Sequence, residues 1–151
     1  MNILINSGIV IGTILLMEAW AWFMHKYLLH GPLWFLHKTH HEPQPSWWEW
    51  NDLVSILYAV GAAAGILQGA ADYSWPFWVG IGITLYGILY FVFHDIIIHR
   101  RVKIKYHFES AYINRLIRAH KKHHKHMQKH DSEAFGFLYA SAKYNVKRIK
   151  K

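Results

Sequence analysis

Residues 75–99 read WPFWVGIGITLYGILYFVFHDIIIH. The nineteen residues from Trp75 to Phe93 carry no charge, and they run straight into a histidine pair, His94 and His99, separated by Asp95 and the apolar Ile96, Ile97 and Ile98. Two similar stretches precede this one. Residues 3–24 hold a single charge, Glu18, and residues 53–70 hold none. At about 1.5 Å per residue each makes roughly 27–33 Å of helix, enough to cross the hydrocarbon core of a bilayer. The glycines of the second and third stretches (Gly61, Gly65, Gly69; Gly80, Gly82, Gly87) cost stability in water but allow close helix packing in lipid. The first stretch lacks a basic leader and a small-residue cleavage site, so it reads as a span rather than a signal peptide. A chain of 151 residues is too short to cover the other two as buried soluble helices.

Charge is distributed as unevenly as hydrophobicity. Residues 1–93 hold two Lys/Arg against five Asp/Glu, a net of −3, and residues 94–151 hold fifteen against four, a net of +11. The connection 71–74 has no basic residue. The positive-inside rule therefore places residues 25–52 and 94–151 on the cytoplasmic side and the short N-terminus outside. Trp47, Trp48 and Trp50, just before the second span, suit an interfacial aromatic belt. The eight-residue apolar run 134–141 is too short to span and is expected to dip into the interface or cover the cytoplasmic part. The expected fold is an all-α integral membrane protein with about three to four transmembrane helices (spans about 3–24, 53–70 and 75–93). A cytoplasmic, helical, histidine-rich di-metal cap completes a single domain over residues 1–151.

The composition is 53% hydrophobic and 17% charged, which excludes disorder for the bulk of the chain. The absence of cysteine excludes disulfides, thiolate haem, iron–sulfur clusters and Cys-ligated zinc. The thirteen histidines are the outlying feature. His25 and His30 form an HxxxxH box, and His37, His40 and His41 form an HxxHH box. The same two words recur in the same order as His94 and His99, then His120, His123 and His124. Two spans separate the copies, so all ten imidazoles return to one membrane boundary. On a helix, residues three and four apart share a face, so each HxxHH box aims its rings at one point. Five residues on a regular α-helix make about 140° of rotation, so the HxxxxH boxes call for a π-bulge, a helix end or ligands clasping from different sides.

Ten buried neutral imidazoles need partners. Two metal ions with five nitrogens each are the natural division, and imidazole suits iron, zinc and copper. Hydrolysis by paired metals usually recruits carboxylates, which are nearly absent from the boxes. Oxygen activation and oxidation of a lipid C–H bond fit better, with electrons brought from outside. The basic part offers a dock for an acidic ferredoxin or for anionic headgroups. A histidine-rich zinc store, a metal transporter and a nucleic-acid binder fit less well; a transporter would carry ligands near the bilayer midplane. His107, His126 and His130 lie outside the boxes and read as solvated. Asp95 is placed to orient His99. Glu18, an ionisable group inside a span, points to a substrate-channel or helix-packing role.

The words Glu18-Ala19, His25-Lys-Tyr-Leu-Leu-His30-Gly-Pro-Leu-Trp34, His37-Lys-Thr-His40-His41, His94-Asp95…His99-Arg100-Arg101, Ala119-His120-Lys-Lys-His123-His124 and Phe135-Gly-Phe-Leu-Tyr139 cover most of residues 17–140. In them the chain resembles the bacterial β-carotene 3-hydroxylases of the fatty acid hydroxylase superfamily. One departure is Ile96, where a small residue is expected after the aspartate; it bears on the pocket beside that box. The resemblance implies a non-haem di-iron monooxygenase of the bacterial inner membrane, multi-pass, with its active site on the cytoplasmic side. It implies O2-dependent hydroxylation at C3 of β-ionone rings, giving β-cryptoxanthin and then zeaxanthin. The implied ligands are His25, His30, His37, His40, His41, His94, His99, His120, His123 and His124, holding two iron ions that zinc can replace in a purified sample. The implied partners are a lipid-soluble carotenoid, membrane lipids, and a ferredoxin and reductase carrying NAD(P)H-derived electrons, with no nucleic acid. A hydroxylase or ketolase acting on another carotenoid, a sterol or an acyl chain is the nearest alternative. A non-catalytic metal-binding membrane protein is the next.

Overall fold

The computed structural model describes residues 2–42, 46–106, 108–126 and 128–145. Helix α1 (Ile3–Phe23) runs on without a break as a π-helix over Met24–Leu29, and α2 (Trp34–His41) follows. Helices α3 (Asp52–Gly69) and α4 (Trp75–Tyr90) form a hairpin, and α4 likewise runs on as a π-helix over Phe91–Ile98. Helix α5 (Ala111–His124) and a single 3-10 turn (Ala142–Tyr144) complete the chain. The fold is all-α, with no strand among the described residues.

Three continuous rods, Ile3–Leu29, Asp52–Gly69 and Trp75–Ile98, are long and apolar enough to cross a membrane. The first and third are longer than the sequence spans ending at 24 and 93. His25 and His94 therefore lie on π-turns that continue the apolar helices, and the histidine-rich cap is continuous with the rods. The cause is local: the π-turns carry each helix past its apolar stretch and into its histidine box. The third rod ends where Arg100 takes a left-handed conformation (φ 55°). The Arg101 N–H then bonds back to the Asp95 carbonyl at 2.9 Å, satisfying an end carbonyl and turning the Arg101 side chain inward.

Burial is inverted relative to a water-soluble protein. Leu4, Leu16 and Leu67 are more than 70% exposed, while the largest fully buried side chains are His25, His37, His94 and His123. A lipid solvent accounts for both facts, because apolar side chains lose nothing there and imidazoles must find partners inside.

Helices α3 and α4 touch most closely near the 70–74 connection. A Cβ on Gly80 would lie 2.6 Å from the Ala62 carbonyl oxygen, and one on Gly69 would lie 2.5 Å from the Phe77 nitrogen. Gly82 makes the matching approach to Thr13 of α1. Gly61 and Gly87 face open space, so the close-packing expectation holds for only part of the glycine set. Away from this tight end the three rods leave a cavity of about 560 Å³ between them. At its far end the cavity reaches the histidines.

Candidate metal centre

The two HxxxxH boxes are π-turns. The His30 N–H bonds to the His25 carbonyl at 3.0 Å, and the His99 N–H to the His94 carbonyl at 2.9 Å. The extra residue in the turn brings positions five apart onto one face. The ring centroids are accordingly 5.3 Å apart for His25 and His30 and 4.5 Å apart for His94 and His99. The HxxHH boxes lie on α2 and on the last turn of α5, as their spacing required.

All ten box histidines meet at one end of the bundle, in two adjoining sets. Ligand-type atoms of His25, His30, His37, His41 and His123 lie within 4.8 Å of one another, and so do those of His40, His94, His99 and His120. His124 packs its ring against His40, His99 and His120 of the second set at 4.5–4.8 Å and against His41 of the first at 4.4 Å. The two repeat copies do not each build their own set. His123 of the second copy completes the first set, and His40 of the first copy completes the second.

The first set has a defined protonation pattern. The Nδ1–H of His25 donates to the Phe135 carbonyl (2.9 Å), that of His30 to the Lys129 carbonyl (2.9 Å) and that of His37 to Asn51 Oδ1 (2.8 Å). His41 donates to the His126 carbonyl (3.1 Å) and His123 to the Glu133 carbonyl (3.0 Å). A neutral imidazole has one N–H, so every Nε2 here is a bare lone pair. These Nε2 atoms face one another at 3.0 Å (His25–His37), 3.1 Å (His41–His123) and 3.2 Å (His30–His123 and His37–His41). Five lone pairs converging without a proton repel each other unless a cation sits among them. Nitrogens about 2.0–2.1 Å from a common metal ion are spaced by about 2.9 Å at right angles and about 3.3 Å at the tetrahedral angle. The observed spacings fit.

The second set is oriented by carboxylates. Glu49 Oε2 accepts from His40 Nδ1 and Asp95 Oδ1 from His94 Nδ1, both at 2.8 Å. Arg101 joins these carboxylates, at 2.7 Å to Glu49, 2.9 Å to Asp52 and 3.9 Å to Asp95. His99 and His120 bring their Nε2 atoms to 2.8 Å. The Nε2 atoms of His40 and His124 are buried without any hydrogen-bond partner. Native interiors rarely leave such atoms orphaned, and a metal ion is the partner this donor set suits.

Burial, followed by the neighbouring imidazoles, pushes His41 and His124 down to about 3. Burial, then Arg101 and His41, holds His99 at about 4. These side chains stay neutral, ready to ligate, at any physiological pH. In the metal-free protein the same shifts make stability pH-dependent. An unfolded histidine binds a proton near pH 6.5 that the folded one refuses. Stability is therefore complete above about 6.5 and is lost toward pH 3–4, by up to about 1.4 kcal/mol per pH unit for each histidine. Thermal unfolding of metal-stripped protein in detergent should show a midpoint that falls steadily from pH 7 to pH 5. A flat or rising midpoint would contradict the burial of these rings.

Several other sequence expectations are corrected. Asp95 orients His94, its immediate neighbour, and not His99, because the π-turn places its carboxylate beside that ring. Glu18 does not line the cavity; it joins α1 to α4 and also holds backbone. One of its oxygens accepts the backbone N–H groups of Phe137, Leu138 and Tyr139 (3.0–3.1 Å), and the other accepts the Tyr86 hydroxyl (2.8 Å). The run 134–141 lies over the first set. His126 is half-buried and lends its carbonyl to His41; His130 is exposed; His107 lies outside the described residues. Trp47, Trp48 and Trp50 are exposed and do not line the cavity. Ile96 does not line it either.

Sequence reasoning missed Glu49, Asn51 and Asp52 and gave Arg101 no role. They follow no box spacing, and only their position beside the second rod brings them to the imidazoles. The one available hint was polar residues set among exposed tryptophans.

A profile of the fatty acid hydroxylase family matches residues 10–142, which include all ten histidines. The chain belongs to the fatty acid hydroxylase family. Relatives within it include a β-carotene hydroxylase of Paracoccus sp. (strain PC1), 40% identical over 135 residues, covering 87% of this chain and 82% of that one. A β-carotene hydroxylase of Pantoea ananas is 40% identical over 136 residues, 89% of this chain and 77% of that one. The chloroplastic β-carotene 3-hydroxylase 2 of Arabidopsis thaliana is 33% identical over 118 residues, 76% of this chain and 39% of that one. No solved structure matches the chain.

Proposed function

We propose that this hydroxylase is a β-carotene 3-hydroxylase of the bacterial inner membrane, working with two iron ions held by the ten box histidines. The observation that supports it most strongly is the set of converging, proton-free Nε2 atoms at the closed end of an apolar cavity among the spans, in a chain related to β-carotene hydroxylases over most of its length. An iron pair, when bound, supplies the activation of O2. In the overall reaction one oxygen atom enters the C–H bond as hydroxyl and the other leaves as water, using two electrons and two protons. With no cysteine in the chain, the electrons come from an external donor, a ferredoxin with its reductase. The net +11 of residues 94–151 favours an acidic donor by electrostatic steering.

The chain's own groups do three things. Phe135, Lys129, Glu133 and His126 carbonyls, with Asn51, Glu49 and Asp95, hold the imidazoles in the ligating tautomer. The cavity takes an apolar rod. Ser55 and Ala59 of α3, Thr84 and Ile88 of α4 and Phe91 of the π-helix that continues it line the cavity yet are exposed, so it opens sideways between these helices at membrane depth. A carotenoid dissolved in lipid enters there without crossing water. The other end is walled by His37, His94 and Phe137, so one ring comes to rest against both histidine sets. The clustered ends face the cytoplasm, where the basic residues lie.

Expression in β-carotene-accumulating bacterial cells should convert the pigment to β-cryptoxanthin and zeaxanthin. Metal analysis of anaerobically purified protein should give two irons per chain. Iron-loaded protein that leaves β-carotene unchanged while oxidising a different lipid would overturn the substrate assignment. A metal-loaded protein that consumes no O2 with a reductant would overturn the enzyme assignment.

A further inference from the structure

Residues 133–140 form a strap that covers the first histidine set and reaches His94 of the second, and Glu18 is what ties it down. Its Glu133 and Phe135 carbonyls accept from His123 and His25. Its three consecutive N–H groups, Phe137 to Tyr139, converge on one Glu18 oxygen, as backbone donors gather on an anion. The other Glu18 oxygen holds Tyr86, which also lines the cavity. A Cβ at Gly136 would stand 2.8 Å from the Tyr139 carbonyl oxygen and 3.1 Å from Glu18 Oε1, so the strap closes this tightly only with glycine there. Ala134 begins it in a left-handed conformation (φ 63°), a strain that the surrounding hydrogen bonds sustain.

The anchor fixes one ring. Phe137 is buried, stacks on His25 (5.1 Å between centroids, 8° between planes) and meets His94 edge-on at 5.3 Å. Tyr90 abuts it at 4.9 Å. His25 belongs to the first histidine set and His94 to the second, so Phe137 lies across the junction of the two, at the inner end of the cavity.

We propose that Phe137 is the specificity-determining stop of the cavity and that Glu18 is its positioning residue. The ring end of an apolar polyene slides in until it meets Phe137, and the depth of that stop selects which ring carbon faces the metal sets. This rests on the reading of the cavity as the carotenoid site. A strap pulled away from Glu18 would move Phe137 and let the ring travel further, exposing a different carbon.

The test uses the full chain with Phe137→Ala, Phe137→Leu, Glu18→Leu and Glu18→Gln. Product position is read by chromatography and mass spectrometry, metal content by elemental analysis, and β-carotene binding to zinc-loaded protein by the shift of the pigment's visible band. Shortening Phe137 should leave metal content and the band shift in place. It should change the ratio of 3-hydroxylated to otherwise hydroxylated product by about tenfold or more, the scale on which an apolar pocket discriminates small differences in fit. Glu18→Leu should change the ratio in the same sense and speed hydrogen exchange at the amides of residues 137–139. Glu18→Gln keeps an accepting oxygen and should lie close to the parent protein in both readouts. If Phe137→Ala loses its metal, Phe137→Leu decides. Purely 3-hydroxylated product from a metal-loaded, pigment-binding Phe137→Leu protein overturns the proposal and leaves the β-carotene assignment standing. A parent protein that binds no β-carotene overturns both.

Discussion

Replacing His123 by alanine should empty one metal position and abolish hydroxylation, while the other position still fills. His123 has no exposed surface, and its Nε2 faces those of His30 and His41 at 3.2 and 3.1 Å. It is the second repeat's contribution to a set otherwise built by the first. The loss should exceed the roughly 10–100-fold typical of outer-sphere partners, because a direct donor disappears. Titration of the metal-free variant with cobalt or iron should reach one equivalent per chain in place of two. His40→Ala should give the same stoichiometry by emptying the other position, although both residues sit in HxxHH boxes. If each box pair formed its own centre, His123→Ala would instead damage the position served by His94, His99 and His120. Metal-edge spectroscopy of the two variants distinguishes these outcomes.

Replacing Arg101 by leucine should have the second-largest effect, confined to one set. The guanidinium contacts Glu49, Asp52 and Asp95, and its side chain is only 10% exposed. Removing it leaves three carboxylates together in a poorly hydrated place, a disruption of the kind that costs about 3–5 kcal/mol. Glu49 and Asp95 are the groups that aim His40 and His94, so metal affinity at that set should fall by about 10–100-fold. The first set, oriented by Asn51 and backbone carbonyls, should keep its affinity. Arg101→Lys should recover only part, since an ammonium cannot span several carboxylates as a planar fork does. Equal affinity at both positions in Arg101→Leu would remove this network from the account.

The sequence alone revealed three stretches apolar enough to span, because some twenty residues with at most one charge have few other uses. It also revealed the ten histidines. Their duplicated spacing and their shared return to one boundary follow from counting residues. The resemblance in the words around the boxes pointed to the same family that the profile match identifies.

Three things were not legible, each for a physical reason. Spacing along one helix places rings on a face but does not say which opposing face they meet, so the exchange of His40 and His123 between sets had to come from packing. Outer hydrogen bonds join residues far apart in the chain, such as His25 with Phe135 and Glu18 with residues 137–139, and no local pattern encodes them. Glu18 was visible as a charge in an apolar run, but its partners are backbone N–H groups, which look the same in every sequence. The amino-acid order set what the protein must bring to the membrane's edge: imidazoles, apolar rods and a basic flank. The tertiary structure decided which imidazoles share a site and which ring closes the cavity, because only the packed chain brings distant backbone donors and acceptors within reach.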